Sequence, residues 1–177
     1  GGATCLVLIA GEAGIGKSRL TEEFMLRSIN QGDAESVAVK SRCYPGSQIA
    51  YSPIVSWFHN EKLAKKLRTL DDIWLSELIR LLPELLIERP DLARPQPMTE
   101  SWQRHHFFGA LTHALLSVEK PLLLVIEDIH WCDGETIEWL QYMLQSNSDA
   151  PILFVTNYRT EEVGLNDALK TFLVNSR

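Results

Sequence analysis

Residues 11 to 18 read GEAGIGKS, a match to G-x-x-x-x-G-K-[ST]. Each position has a physical reason. Gly11, Gly14 and Gly16 allow backbone conformations closed to residues with a Cβ, so that the amides of the run, with Glu12, Ala13 and Ile15 between them, turn inward on phosphate oxygens. A helix starting at Lys17 adds its N-terminal partial positive charge. Lys17 brings a point charge to the β- and γ-phosphates, the Ser18 hydroxyl is a ligand for Mg²⁺, and Arg19 completes the candidate cradle. Hydrolysis of a bound nucleotide further needs an acid at the tip of another strand. LLLVIED supplies Glu127 and Asp128, one to organise Mg²⁺ through water and the other to polarise the attacking water. By position, Glu127 takes the metal slot and Asp128 the base slot, with the reverse assignment open because Asp is shorter. A further run ends in Thr156-Asn157-Tyr158-Arg159. Asn157 is placed to orient water or contact the nucleotide, and Arg159 to reach the γ-phosphate. The plainer readings are a capping or surface acid pair, a turn asparagine and a surface ion pair.

These residues need strand ends to stand on. Thr4 to Ala10, Ser36 to Val39, Leu122 to Ile126 and Ile152 to Thr156 are short apolar runs, read as strands buried on both faces of a parallel sheet. Lys17 to Ile29 has helical spacing at Leu20 and Phe24, less regularly at Met25, Leu26 and Ile29, and a stop at Gln31-Gly32-Asp33. Residues 43–52 form a loop with a Pro-Gly turn. From 53 to about 118 the periodicity is helical, with helices expected over 53–68, 71–82 and 101–118. The three prolines of Glu88 to Thr99 make an extended connector. Asp133 N-caps an amphipathic helix through Ile137, Leu140 and Leu144. Strands alternating with helices give an α/β fold of three layers with a parallel sheet and a helical insertion between strands 2 and 3. Only four of the usual five strands are expected, so a complete strand within 160–177 would count against this reading.

The 177 residues fit one domain, and 45% hydrophobic with 23% charged residues allows a sizeable core. A net charge of −6 argues against a nucleic-acid backbone held by this domain itself. No apolar run approaches the ~18 residues of a membrane helix. Cysteines at 5, 43 and 132, odd in number and widely spaced, indicate neither a disulfide framework nor a zinc site, so the expected compartment is reducing and cytoplasmic. A first residue of Gly, and a final FLVNSR without a stop signal, read as an excerpt of a longer protein.

GEAGIGKSRL, RCYPGSQIAYSPI, LLLVIEDIHWCD and ILFVTNYRTEE together resemble the P-loop NTPase domain of STAND-class signalling ATPases, over essentially the whole chain, 1–177. Within that class the chain is most similar to the module of large bacterial transcriptional activators, of LuxR, maltose-activator and SARP-like type. The resemblance implies an ATP/ADP-controlled switch with slow hydrolysis that assembles when an inducer binds elsewhere, and DNA contacted only through other domains. It implies Walker A roles for Lys17 and Ser18, Walker B roles for Glu127 and Asp128, and phosphate sensing by Arg159. The sequence departs from the family in lacking a Gly-Arg-Glu-type adenine segment before the first strand, in having Glu/Asp for the usual Asp/Asp, and in a lid expected beyond Arg177. A motor-like ATPase remodelling protein or DNA, and an oligomerisation scaffold with weak chemistry, are the competing readings.

Other signals receive plainer assignments. Lys62, Lys65, Lys66 and Arg68 read as a solvated helix face. His105, His106 and His113 lack metal-ligand companions. Trp57, Trp74, Trp102, Trp131 and Trp139 read as packing residues and Cys132 as a buried or half-buried thiol, while His130 is a minor candidate for sensing the nucleotide state.

Overall fold

The apolar runs become strands because a parallel sheet covered by helices buries both of their faces. The computed structural model describes residues 2–31, 36–47, 49–146 and 149–175. Strands β1 (Cys5–Gly11), β2 (Val37–Arg42), β3 (Leu122–Glu127) and β4 (Ile152–Arg159) form one parallel sheet in the order β1-β4-β3-β2. All six residues of β3 are buried, as expected of a central strand. The same expectation fails for β1. It lies at the sheet edge with β4 as its neighbour, leaving Cys5 and Ala10 exposed and Val7 44% exposed. Among the described residues, 160–175 hold a 3-10 turn (Val163–Leu165) and a helix, not a fifth strand.

Helices cover both faces. On one, Met25 of α1 (Lys17–Gln31) packs on a cluster of Leu123, Val125 and Val155 bordered by Ile9, Ala38 and Leu153. Of the stripe predicted for α1, only Met25 packs on this cluster. Leu20, Phe24, Leu26 and Ile29 are exposed, whereas Thr21 is buried and Met25 and Ser28 half-buried. The first turn must hold Lys17 and Ser18 toward the strand ends, and the residues one turn apart from Ser18 along that face are 21, 25 and 28. The predicted stop residues Gly32 and Asp33 lie outside the described residues. On the other face, Trp57 of α2 (Ser52–Phe58) and Trp139 meet the Phe154 ring with centroids 6.4 and 6.2 Å away.

The chain forms two compact units, Gly1–Trp57 with Lys120–Arg177, and Phe58–Glu119. The second is helical: α3 (Glu61–Leu67), α4 (Asp72–Leu78), α5 (Leu85–Glu88) and α6 (Ser101–Leu116). Leu75, Ile79 and Leu92 form a core there with Leu70, Leu85 and Leu86. The single helix predicted over 53–68 is two. Asn60 takes an extended conformation and its Oδ1 accepts the Lys62 amide at 3.0 Å, starting α3 afresh. The connector of prolines begins after α5, a turn the periodicity missed. His106 and His113 both stack on Trp74, and Lys65, Lys66 and Arg68 pair with Glu61, Glu119 and Glu88. Trp102 departs from its packing assignment: it is 65% exposed.

After β3 come a 3-10 turn (Ile129–Trp131) and α7 (Gly134–Ser146), which holds Trp139, and β4 leads to α8 (Asp167–Asn175). Asp133 caps α7 as expected, its Oδ1 accepting the Thr136 amide at 2.8 Å. Cys43 and Cys132 are buried free thiols, and the Cys43 thiol beside it, burial and Asp133 push the Cys132 thiol well above its ordinary value of 9.0.

Candidate functional site

Because the four strands are parallel, their carboxyl ends emerge on one side, and register decides what meets there. Gly11 lies opposite Arg159, Ile9 opposite Asn157, and Arg42 opposite Glu127. The Gly-rich run leaves the end of β1 and turns into α1, with Gly14 at φ 79° and Gly16 at φ 98°, where a Cβ would be strained. A Cβ at either would meet nothing within 4 Å, so the backbone conformation and not crowding asks for glycine there. Lys17 Nζ donates to the carbonyls of Gly11 (2.9 Å) and Glu12 (2.7 Å), lying back over its own loop. Ser18 is half-buried at the first turn of α1, while Glu12, Ala13, Ile15 and Arg19 are exposed.

The acids stand where β3 ends. Glu127 is buried, its side chain 3% exposed, and its Oε1 is a buried oxygen without a partner. Its Oε2 lies 2.9 Å from Arg42 and 3.8 Å from Lys40, which also binds Glu22 of α1 at 2.8 Å. Arg42 reaches Asp128 too, Nε to Oδ2 at 3.4 Å. Neither basic residue figured among the sequence candidates, because β2 was expected to end at Val39. The strand runs on to Arg42, and alternation from Ala38 puts Lys40 and Arg42 on the α1 face. An open cleft of about 580 Å³ lies there, lined by Lys40, Arg42, Tyr44, Ser52 and Glu127 among others.

Asp128 has a left-handed backbone, φ 56°, ψ 46°. Its amide donates to Asn157 Oδ1 at 2.9 Å, and Asn157 is buried with its Nδ2 unpartnered. Asn157 thus holds the backbone that presents Asp128.

Arg159 is half-buried, its NH1 2.7 Å from Glu162 Oε1, a pairing that holds the guanidinium pKa above its ordinary value. Glu162 Oε2 comes 3.3 Å from Nε2 of the buried His130, without hydrogen-bond alignment. Burial keeps the His130 pKa below its usual value, against the opposing pull of Asp128 and Glu162. Glu161 Oε1 accepts the Ala13 amide at 3.0 Å. The Glu161 and Ala13 amides hold that carboxyl below the usual carboxylate range, aided by Thr160 and Lys17. Asn166 Nδ2 donates to the carbonyls of His130 (3.2 Å) and Cys132 (2.9 Å), and its Oδ1 accepts the Leu169 amide as α8 begins. Glu161, Glu162 and Asn166 were also missed. The pair of acids after Arg159 was the one visible signal.

A glycine-rich loop between a strand and a helix, with acids on the strand next but one, is the frame the sequence motif required. A family profile described as an AAA ATPase domain matches residues 1–155. The chain belongs to the AAA ATPase domain family. It is therefore a P-loop nucleotide-binding domain of three-layer α/β architecture. No curated protein is significantly similar to this AAA domain. Among its described residues, no helix is long and apolar enough to cross a membrane.

Proposed function

We propose that this AAA domain binds ATP and ADP with Mg²⁺ and hydrolyses ATP slowly, as the regulatory switch of a multidomain signalling protein. The class is that of STAND ATPases, the protein a cytoplasmic transcriptional regulator that assembles on itself in a nucleotide-dependent way and contacts DNA through other domains. The residues fit the groups they would hold. The loop turns at positive φ through Gly14 and Gly16 into α1, with Lys17 and Ser18 at the start of the helix, the place where a phosphate is bound. Ser18, Glu127 and Asp128 would hold magnesium, and the unpartnered, buried Oε1 of Glu127 is the kind of oxygen a hydrated cation satisfies. Magnesium supplies charge neutralisation on the β- and γ-phosphates. Asp128 is set to polarise the attacking water, and Arg159 to sense the γ-phosphate.

The observation that carries the switch reading is that the groups meant for phosphate or water already have internal partners. Lys17 lies on Gly11 and Glu12, the Ala13 amide on Glu161, Asp128 on Arg42, and Arg159 on Glu162. Nucleotide binding and hydrolysis would have to exchange each of these contacts, which suits a slow switch better than a motor. Steady-state phosphate release from Mg-ATP tests this. The switch predicts turnover far below about 1 s⁻¹, the low end of ordinary enzyme rates. Turnover of about 1 s⁻¹ or faster, accompanied by ring assembly, would instead favour the motor.

A further inference from the structure

The turn between β4 and α8, residues 160–166, touches the phosphate loop, Arg159 and the loop that follows the acids, though no motif points to it. Its backbone starts beside the phosphate loop, the Thr160 amide 3.4 Å from the Gly11 carbonyl. Glu161 then accepts the Ala13 amide at 3.0 Å. One residue on, Glu162 holds Arg159 at 2.7 Å and faces the buried His130 at 3.3 Å. At its far end, Asn166 fastens the turn to the carbonyls of His130 and Cys132, in the loop that follows the acids, and caps α8.

We propose that Glu161 and Glu162 are positioning residues that compete internally with nucleotide phosphate, Glu161 for the loop amide at Ala13 and Glu162 for Arg159. The inference rests on the nucleotide-binding reading of this same site. The chemistry is one of substitution. A carboxylate oxygen and a phosphate oxygen ask the same thing of a backbone N–H, so a phosphate seated on the Ala13 amide must displace Glu161. Two anions cannot share that amide without repulsion, so the two are mutually exclusive there. Arg159 carries a planar fork of donors that Glu162 engages through NH1, and a γ-phosphate would draw on the same donors. The two acids therefore read different things. Glu161 responds to any phosphate in the loop, and Glu162 to the third one alone.

Calorimetric titration of the 177-residue chain with Mg-ATP and with Mg-ADP tests the division. Wild type is compared with Glu161→Gln, Glu162→Gln and, as a control on the site itself, Lys17→Ala; thermal unfolding of each reports folding. Glu161→Gln keeps the shape and loses the charge, and should tighten both nucleotides on the order of 3–10-fold, the difference between a charge-assisted and a neutral hydrogen bond. Glu162→Gln should tighten Mg-ATP by a similar factor and leave Mg-ADP unchanged, a split that a merely structural residue would not produce. Glu161→Asp, with charge kept and reach shortened, should fall between wild type and Glu161→Gln. If both Gln variants bind both nucleotides no more tightly than wild type while Lys17→Ala loses binding, the competition is overturned and the nucleotide reading stands. If Lys17→Ala binds as wild type does, the nucleotide reading fails, and the competition with it.

Discussion

Asp128 stands in a left-handed conformation that few side chains accept, fixed by the bond from its amide to Asn157. Asp and Asn tolerate that region, so Asp128→Asn separates presentation from chemistry. The variant keeps the backbone geometry and gives up one half-exposed ion pair to Arg42, worth at most about 1 kcal/mol. Chemical denaturation should find its stability within about 1 kcal/mol of wild type, while ATP turnover falls by about 10²–10⁴-fold, the usual contribution of a positioned base. Unchanged turnover would move the base elsewhere. Glu127, for which we propose the metal slot, is buried and paired with Arg42 and Lys40. The phosphate loop could be read directly from GEAGIGKS because every one of its requirements is local: glycine freedom, a lysine, a hydroxyl, a helix start. Glu161 and Asn166 act through partners 148 and 34 residues away, which no spacing in the sequence could announce, whereas Glu162 holds Arg159 only three residues before it.

At the scale of elements, the strand runs were legible because apolar β-branched stretches of that length have one comfortable home, between helices. Their ends were less so. β2 and β4 each run three residues past the predicted limit, since ladder pairing with β3 and β1 carries on through polar residues. That extension is what delivers Lys40, Arg42 and Arg159 to the site. The misjudged face of α1 follows from the motif, which turns the Ser18 side of the helix to the sheet, and the broken helix at Asn60 from a local cap to which apolar spacing is blind. The tryptophans put a number on the difference. Trp139 is fully buried against Trp57 and Phe154, so Trp139→Ala should cost about 3–5 kcal/mol in denaturant unfolding. Trp102→Ala, at a residue 65% exposed, should stay within about 0.5 kcal/mol. Equal costs would mean that the sheet face and its aromatic cover are misplaced.

For the whole molecule, the sheet unit carries every candidate site residue, and the helical unit, Phe58–Glu119, carries none. The chemistry therefore rests on residues from the two flanks of the chain, joined by parallel pairing of β1 with β4 and β2 with β3. A net charge of −6 leaves phosphate binding to local geometry, the loop amides and Lys17, not to a basic surface. The central claim is that the loop is a working nucleotide site, and one measurement meets it head-on: calorimetric titration of Mg-ATP into the chain and into Lys17→Ala. Micromolar binding by wild type, weakened by about 30-fold or more when the lysine charge is removed, is the predicted result. Equal affinity in both proteins, or no binding by either, would contradict it.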